Sequence, residues 1–201
     1  MIITRLEELE KSKVKVYIDD EYAFLLYNND IRKFHLEEQI EITPEEYHEI
    51  LESTIFRRAK QKALAVLKFM NRTEKGLRNK LQEAGYPNDI VDRTISYVCE
   101  YGYVNDERYA RAYIRDRKKS KSKRILQNEL LHKGIEKDIL DTLFITEYEE
   151  EGAEDPELIA IKKAIAKKSR LPENLNWEEK QKLIASLYRK GFELDKIKQC
   201  L

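Results

Sequence analysis

Three times in 201 residues the sequence repeats one spacing. Leu77-x3-Leu81-x3-Gly85-Tyr86-x2-Asp89 returns as Leu126-x3-Leu130-x3-Gly134-Ile135-x2-Asp138 and again as Leu183-x3-Leu187-x3-Gly191-Phe192-x2-Asp195. Leucines four apart share one stripe of a helix, and a glycine ends that helix by taking a positive φ. The apolar residue after it folds back over the end, and an aspartate favours the start of the next helix. The glycines lie 49 and 57 residues apart, which leaves room for three helices per unit rather than two. Units of this kind cover their faces partly with their neighbours. The predicted fold is mostly α: three tandem three-helix repeats in an elongated, curved array, preceded by a small N-terminal β-hairpin region.

Residues 1–43 are the exception to helical spacing. Val14, Val16 and Ile18 alternate with Lys13, Lys15 and Tyr17, Asp19-Asp20-Glu21 makes a turn, and YAFLLY (22–27) begins a second run, which reads as a hairpin. MIITRLEEL is a candidate third strand. At Thr43-Pro44-Glu45-Glu46 an N-cap, a proline at the first helical position and a glutamate at N3 open the helical region. Boundaries are predicted at 44–105, 106–152 and 153–201 for the three repeats. Gly85, Gly102, Gly134, Gly152 and Gly191 act as stops, Thr73, Asp106, Ser122, Asp155-Pro156 and Asn176 as starts, and about nine helices result.

Only 6 Gly and 4 Pro suit helices better than the many turns of a sandwich or barrel. Apolar runs are far short of the roughly 20 residues that a spanning helix needs, and the start of the chain has no secretory pattern, so a cytoplasmic protein is expected. Cys99 and Cys200 read as packing residues rather than a disulfide.

The chain balances 38 Lys+Arg with 38 Asp+Glu, but the charges are segregated. Residues 57–80 hold nine basic residues against Glu74 alone, and 107–134 hold ten against three acids. By contrast, 36–52 and 147–157 carry seven acids each and no Lys or Arg, and would repel phosphate. At 100° per residue Arg108, Arg111, Arg115, Lys118 and Lys119 fall within about 100° of arc, opposite Tyr109, Ala110, Tyr113 and Ile114. The connection Ser120-Lys121-Ser122-Lys123-Arg124 leads into the next helix, whose N-terminal N–H groups favour an anion. Together these make a phosphate-tracking stripe, although such faces are often only solvated surface. Five tyrosines between 97 and 113 lie next to the stripe, and their i,i+4 spacing favours packing over base stacking. Trp177 reads as a local anchor.

No G-x-x-x-x-G-K or G-x-G-x-x-G loop occurs, and His35, His48 and His132 are scattered, so neither catalysis, a cofactor nor a metal is expected.

Residues 72–140 resemble the RecX family of bacterial recombination regulators. The likeness rests on Arg72-Thr73, Leu77-Arg78-Asn79-Lys80-Leu81, Gly102-Tyr103-Val104-Asn105-Asp106, Tyr109-Ala110, and Arg124-Ile125 through Gly134. Gly76 departs from the family, which usually has an acid there. The resemblance implies a modulator that lies in the groove of the RecA nucleoprotein filament and restrains its ATPase, growth and strand exchange. Its partners would be RecA and single-stranded DNA, with double-stranded DNA as a further candidate, and it would act as a monomer. On this reading Arg72, Arg78 and Lys80 of the first repeat, with Arg115, Lys118, Lys119, Lys121, Lys123 and Arg124 of the second, face the filament and its DNA. Reversing Arg115, Lys118 and Lys119 to Glu is then expected to weaken inhibition without unfolding the protein. The alternatives are a stand-alone DNA-binding helical module and a purely protein-binding helical scaffold.

Overall fold

The computed structural model describes residues 1–148, 154–168 and 175–201. Its contacts divide into two units, Met1–Val104 and Asn105–Leu201. The first unit opens with an antiparallel sheet of order β1-β2-β3, formed by β1 (Ile3–Leu9), β2 (Lys13–Ile18) and β3 (Glu21–Tyr27). The candidate third strand is therefore present. Asp19 and Asp20 both take positive φ (49° and 67°) between the paired residues Ile18 and Glu21, the requirement of a two-residue type I′ turn. Alternation buries Val14, Val16 and Ile18 of β2 with Ile3, Phe24 and Leu26 of its neighbours.

After a short helix, α1 (Asn28–Lys33), the long helical run begins at Thr43. The Thr43 hydroxyl accepts from the Glu46 N–H at 3.2 Å, the Glu46 carboxylate accepts from the Thr43 N–H at 2.9 Å, and Pro44 stands at N1. From there α2 (Pro44–Ile50), a π-helical segment (Leu51–Phe56) and α3 (Arg57–Phe69) continue as one rod, since the residues at both joints keep right-handed helical angles. The wider π segment has no signature in the sequence. Ile50, Leu51, Ile55 and Ala59 join the core beneath the sheet, whereas Ala63 joins a second core with α4 (Glu74–Glu83) and α5 (Asn88–Glu100).

The second unit holds α6 (Asp106–Arg117), α7 (Lys123–His132) and α8 (Lys137–Tyr148) around one core, and α9 (Pro156–Ala166), α10 (Trp177–Arg189) and α11 (Leu194–Gln199) around another. Counting the rod as one, nine helices follow Thr43 among the described residues. The starts at Thr73, Ser122, Asp155 and Asn176 are true caps. At α6 the cap is Asn105, whose side chain accepts from the Arg108 N–H at 2.7 Å, so Asp106 is the first helical residue instead. Gly152 lies outside the described residues.

The repeated motif is one structure three times. All six leucines are buried. Gly85, Gly134 and Gly191 have φ of 84°, 91° and 77°, and each N–H donates to the carbonyl three residues back, of Gln82, Leu131 and Tyr188. The next N–H, of Tyr86, Ile135 or Phe192, reaches back to the second leucine's carbonyl at 3.3, 3.1 and 3.4 Å. This double closure is the Schellman motif, which satisfies helix-end carbonyls that would otherwise be orphaned. Asp89, Asp138 and Asp195 sit in the first turns of α5, α8 and α11, where a negative charge meets the helix dipole.

Candidate functional site

The predicted cations of the first unit are mostly tied to surface acids. Arg78 contacts Asp92 and, at 3.3 Å, Glu74, while Lys80 reaches Glu83 at 2.6 Å. Arg72 is half-buried, and its Nε finds no acceptor among the described residues.

In the second unit the predicted stripe bends inward. Glu147 of α8 is 2% exposed, and α6 brings three cations to it. Arg115 Nε donates at 2.7 Å and Arg111 at 3.4 Å to the carboxylate, and Lys118 donates to the Glu147 carbonyl at 2.5 Å. The Arg115 hydrogen bond holds the Glu147 carboxyl below the usual carboxylate range against the opposing effect of burial. Lys118 is only 5% exposed, so its charge serves the α6–α8 contact rather than solvent. Charge reversal there would strike the core, so the Arg115, Lys118 and Lys119 triple reversal is now expected to destabilise the protein as well as to weaken inhibition.

The basic connection into α7 is also partly committed. Lys121 contacts Glu129, which accepts from the Tyr113 hydroxyl at 2.8 Å. Burial, reinforced by Glu129, pushes the Tyr113 hydroxyl up to about 12, so it remains a donor. Ser122 is buried, caps α7 through the Ile125 N–H, and donates its own proton to the Lys190 carbonyl at 2.7 Å. The anion expected at the α7 N-terminus is internal: Glu157 of α9, fully buried, accepts from the Lys123 N–H at 3.2 Å and from Lys196 at 2.9 Å. Lys196 also reaches Asp155 at 2.8 Å. Burial lowers the Lys196 pKa, but the two carboxylates outweigh it and raise the ammonium above its ordinary range.

Lys119, Lys123 and Arg124 remain exposed, clustered between the end of α6 and the first turn of α7. Of the nine predicted residues these three combine exposure with no ion pair among the described residues. Glu147, which gathers Arg115 and Lys118, and Glu157, which meets the start of α7, both belong to the acidic 147–157 run expected to repel phosphate. A signal existed for Glu147: it continues the apolar stripe Leu140, Leu143, Phe144 at helical spacing.

The aromatic residues divide as well. Tyr97 is partly buried, but Tyr101 and Tyr103 are 64% and 50% exposed, so packing accounts for only one of those three. Trp177 is 74% exposed and belongs to none of the cores of the described residues, unlike the expected local anchor. Cys99 is exposed and Cys200 half-buried, and the two form no disulfide. Among the described residues no group of His, Cys, Asp or Glu side chains could hold a metal, and no helix is long and apolar enough to cross a membrane.

Sequence models of the first, second and third three-helix domains of RecX match residues 59–97, 105–142 and 155–201. Among curated proteins, "Regulatory protein RecX" of Caldanaerobacter subterraneus is 34% identical over 100% of this chain and 98% of its own length. The protein of that name from Clostridium perfringens SM101 is 34% identical over 96% and 91%. A crystal structure of regulatory protein RecX superposes with a TM-score of 0.66 at 23% identity, covering 99% of this chain and 98% of that one. RecX from Lactobacillus salivarius does so with a TM-score of 0.60 at 23% identity, covering 74% and 95%.

Proposed function

The chain belongs to the RecX family of regulatory proteins, and from that membership we propose that it binds the RecA nucleoprotein filament and restrains its ATPase, growth and strand exchange. The observation that carries this reading is the succession of three RecX three-helix domains in a chain matched end to end by its relatives. The protein acts by binding rather than by catalysis, so its effect on an ATPase comes from a different affinity for active and inactive filament states. It works in the cytoplasm as a monomer, with its repeats bounded near residues 44, 106 and 153.

Lys119, Lys123 and Arg124 are the contact residues we favour on the second repeat, with Arg72, Arg78 and Lys80 contributing on the first. The exposed positions cost no internal ion pair when they turn to phosphate. Arg78, Lys80 and Lys121 would first have to leave their carboxylates, and Arg115 and Lys118 support the surface from behind. Co-sedimentation with ATP-loaded RecA filaments and with bare single strands, each at two salt concentrations, tests the proposal. Filament binding that exceeds binding to bare DNA is expected. Equal binding to both with a steep salt slope would instead identify a DNA-binding module, and salt-independent filament binding a protein scaffold. The Lys119→Glu, Lys123→Glu, Arg124→Glu variant should need about tenfold more protein to inhibit RecA ATPase, a loss of about 1.4 kcal/mol. Unchanged inhibition would remove this surface from the mechanism.

A further inference from the structure

Within the N-terminal unit, the start of β2, the end of β3, the first turns of α3 and the glycine turn after α4 enclose a cavity of about 390 Å³. Cavities of this size accept small organic ligands. Its wall carries three cations from two elements, Lys13, Arg58 and Lys62, together with Tyr27 and Tyr86, and it has no carboxylate. In a chain with as many acids as bases that composition is unusual: Arg58 has an acid partner in Asp30, outside the lining, whereas Lys13 and Lys62 form no ion pair among the described residues. Like charges gathered around one hollow repel one another, and an anion in the hollow relieves that repulsion.

The wall is also held in place. Arg58 binds Asp30 through both terminal nitrogens, at 2.5 and 2.9 Å, and its guanidinium lies over the Tyr27 ring, 4.9 Å from the centroid. Asp30 is buried and also accepts from the Tyr27 N–H at 2.9 Å, so one carboxylate fixes both cation and ring. Tyr86 packs against both apolar cores of the unit. Burial raises its hydroxyl pKa, aided by Tyr27 and opposed by Arg58, which keeps it a donor. The Tyr22 hydroxyl secures the turn by donating to the Gly85 carbonyl at 2.5 Å. Arg58 thus forms a rigid planar cation on an aromatic ring, while Lys13 and Lys62 supply flexible point charges.

We infer that this cavity binds a nucleoside phosphate, its phosphate held by Lys13 and Lys62 and its base stacked against the tyrosine and guanidinium planes. Aromatic and guanidinium faces accept any base, and ammonium groups suit phosphate. A free nucleotide and the phosphorylated end of a strand share this chemistry.

Titration calorimetry on the full chain distinguishes the sources, using AMP, a 5′-phosphorylated deoxynucleotide tetramer and inorganic phosphate. Binding of AMP assigns the free nucleotide, and binding of the tetramer alone assigns the strand end; either supports the inference. Inorganic phosphate should bind at least about tenfold more weakly, and Tyr27→Ala should weaken nucleotide binding about tenfold, since stacking on one aromatic face is of that size. The Lys13→Glu, Lys62→Glu variant should lose about tenfold or more in affinity with an unchanged thermal melt. Should that variant melt early, Lys62→Ala at an exposed position carries the same test with a smaller loss. Absence of binding by either nucleotide at millimolar concentration overturns the inference. So does phosphate binding equal to AMP, or affinity unchanged by the lysine substitutions.

Discussion

In the repeat formed by α3 to α5, Arg78 and Lys80 reach acids at the solvent boundary: Asp92 is 63% and Glu83 62% exposed in the side chain. In the second unit two of the paired acids are inside. Glu147 and Glu157 have side chains 3% and 1% exposed, and the cations come to them. Stretches of similar positive charge therefore do different work, and the position of the acidic partner decides which. An exposed pair gives back in side-chain entropy and hydration most of what it gains, and contributes about 0.2–1 kcal/mol. A buried carboxylate has already lost its water, so removing its counter-charge or the carboxylate itself leaves an uncompensated ion that costs about 3–5 kcal/mol.

The strongest way to break this contrast is at Glu157. Glu157→Ala should destabilise the second unit by about 3 kcal/mol, read by urea unfolding, because Lys196 loses a buried partner and the Lys123 N–H its acceptor. Loss below 1 kcal/mol would place this pair with the surface ones.

Next come the glycine turns. Gly191→Ala should cost about 2–3 kcal/mol, because a Cβ there would stand 2.9 Å from the Ser122 hydroxyl oxygen and 3.4 Å from Ile125, on a backbone with φ of 77°. Gly102→Ala meets nothing within 4 Å and should cost only the conformational strain, about 1 kcal/mol. Equal thermal shifts for the two would remove the packing component.

The acid side of the stability profile gives a third comparison. Because the folded Glu147 pKa is depressed, its contribution is fully present above the ordinary carboxylate range and is lost as pH falls through the folded value. Unfolding free energy measured from pH 6 down to pH 3 should therefore fall less steeply in Glu147→Gln than in the natural chain. A parallel pair of curves would show that the arginines do not stabilise the ionised form. The smallest effect belongs to Arg78→Ala, about 0.5 kcal/mol or less in the same urea experiment.

Much of this architecture could be read from residue spacing, because the signals are local. The Leu-x3-Leu-x3-Gly motif, the Thr43-Pro44-x-Glu46 start and the alternation of Val14, Val16 and Ile18 each specify backbone hydrogen bonds within a few residues of themselves. The π segment has no comparable local signal: its residues Leu51 and Ile55 are apolar at ordinary helical spacing. The candidate surface was half legible for a related reason. Helical phase correctly grouped Arg111, Arg115 and Lys118, but their partner Glu147 is 29 residues or more along the chain, and a wheel drawn for α6 alone cannot show it. The exposed trio Lys119, Lys123 and Arg124 was within the predicted set, though nothing local separated it from Lys121, whose charge is met by Glu129 on the same helix as the cap it precedes.

A hydroxyl finds the helix-ending turn in both units. Tyr22 donates to the carbonyl of Gly85 itself, and Ser122 to that of Lys190, one residue before Gly191. A carbonyl at the end of a helix is in surplus, so a neighbour that offers one proton can recognise where that helix stops. Grafting an extra module onto such a chain would accordingly require transplanting the donor along with the glycine, for the tandem copies would otherwise share a shape without sharing a register.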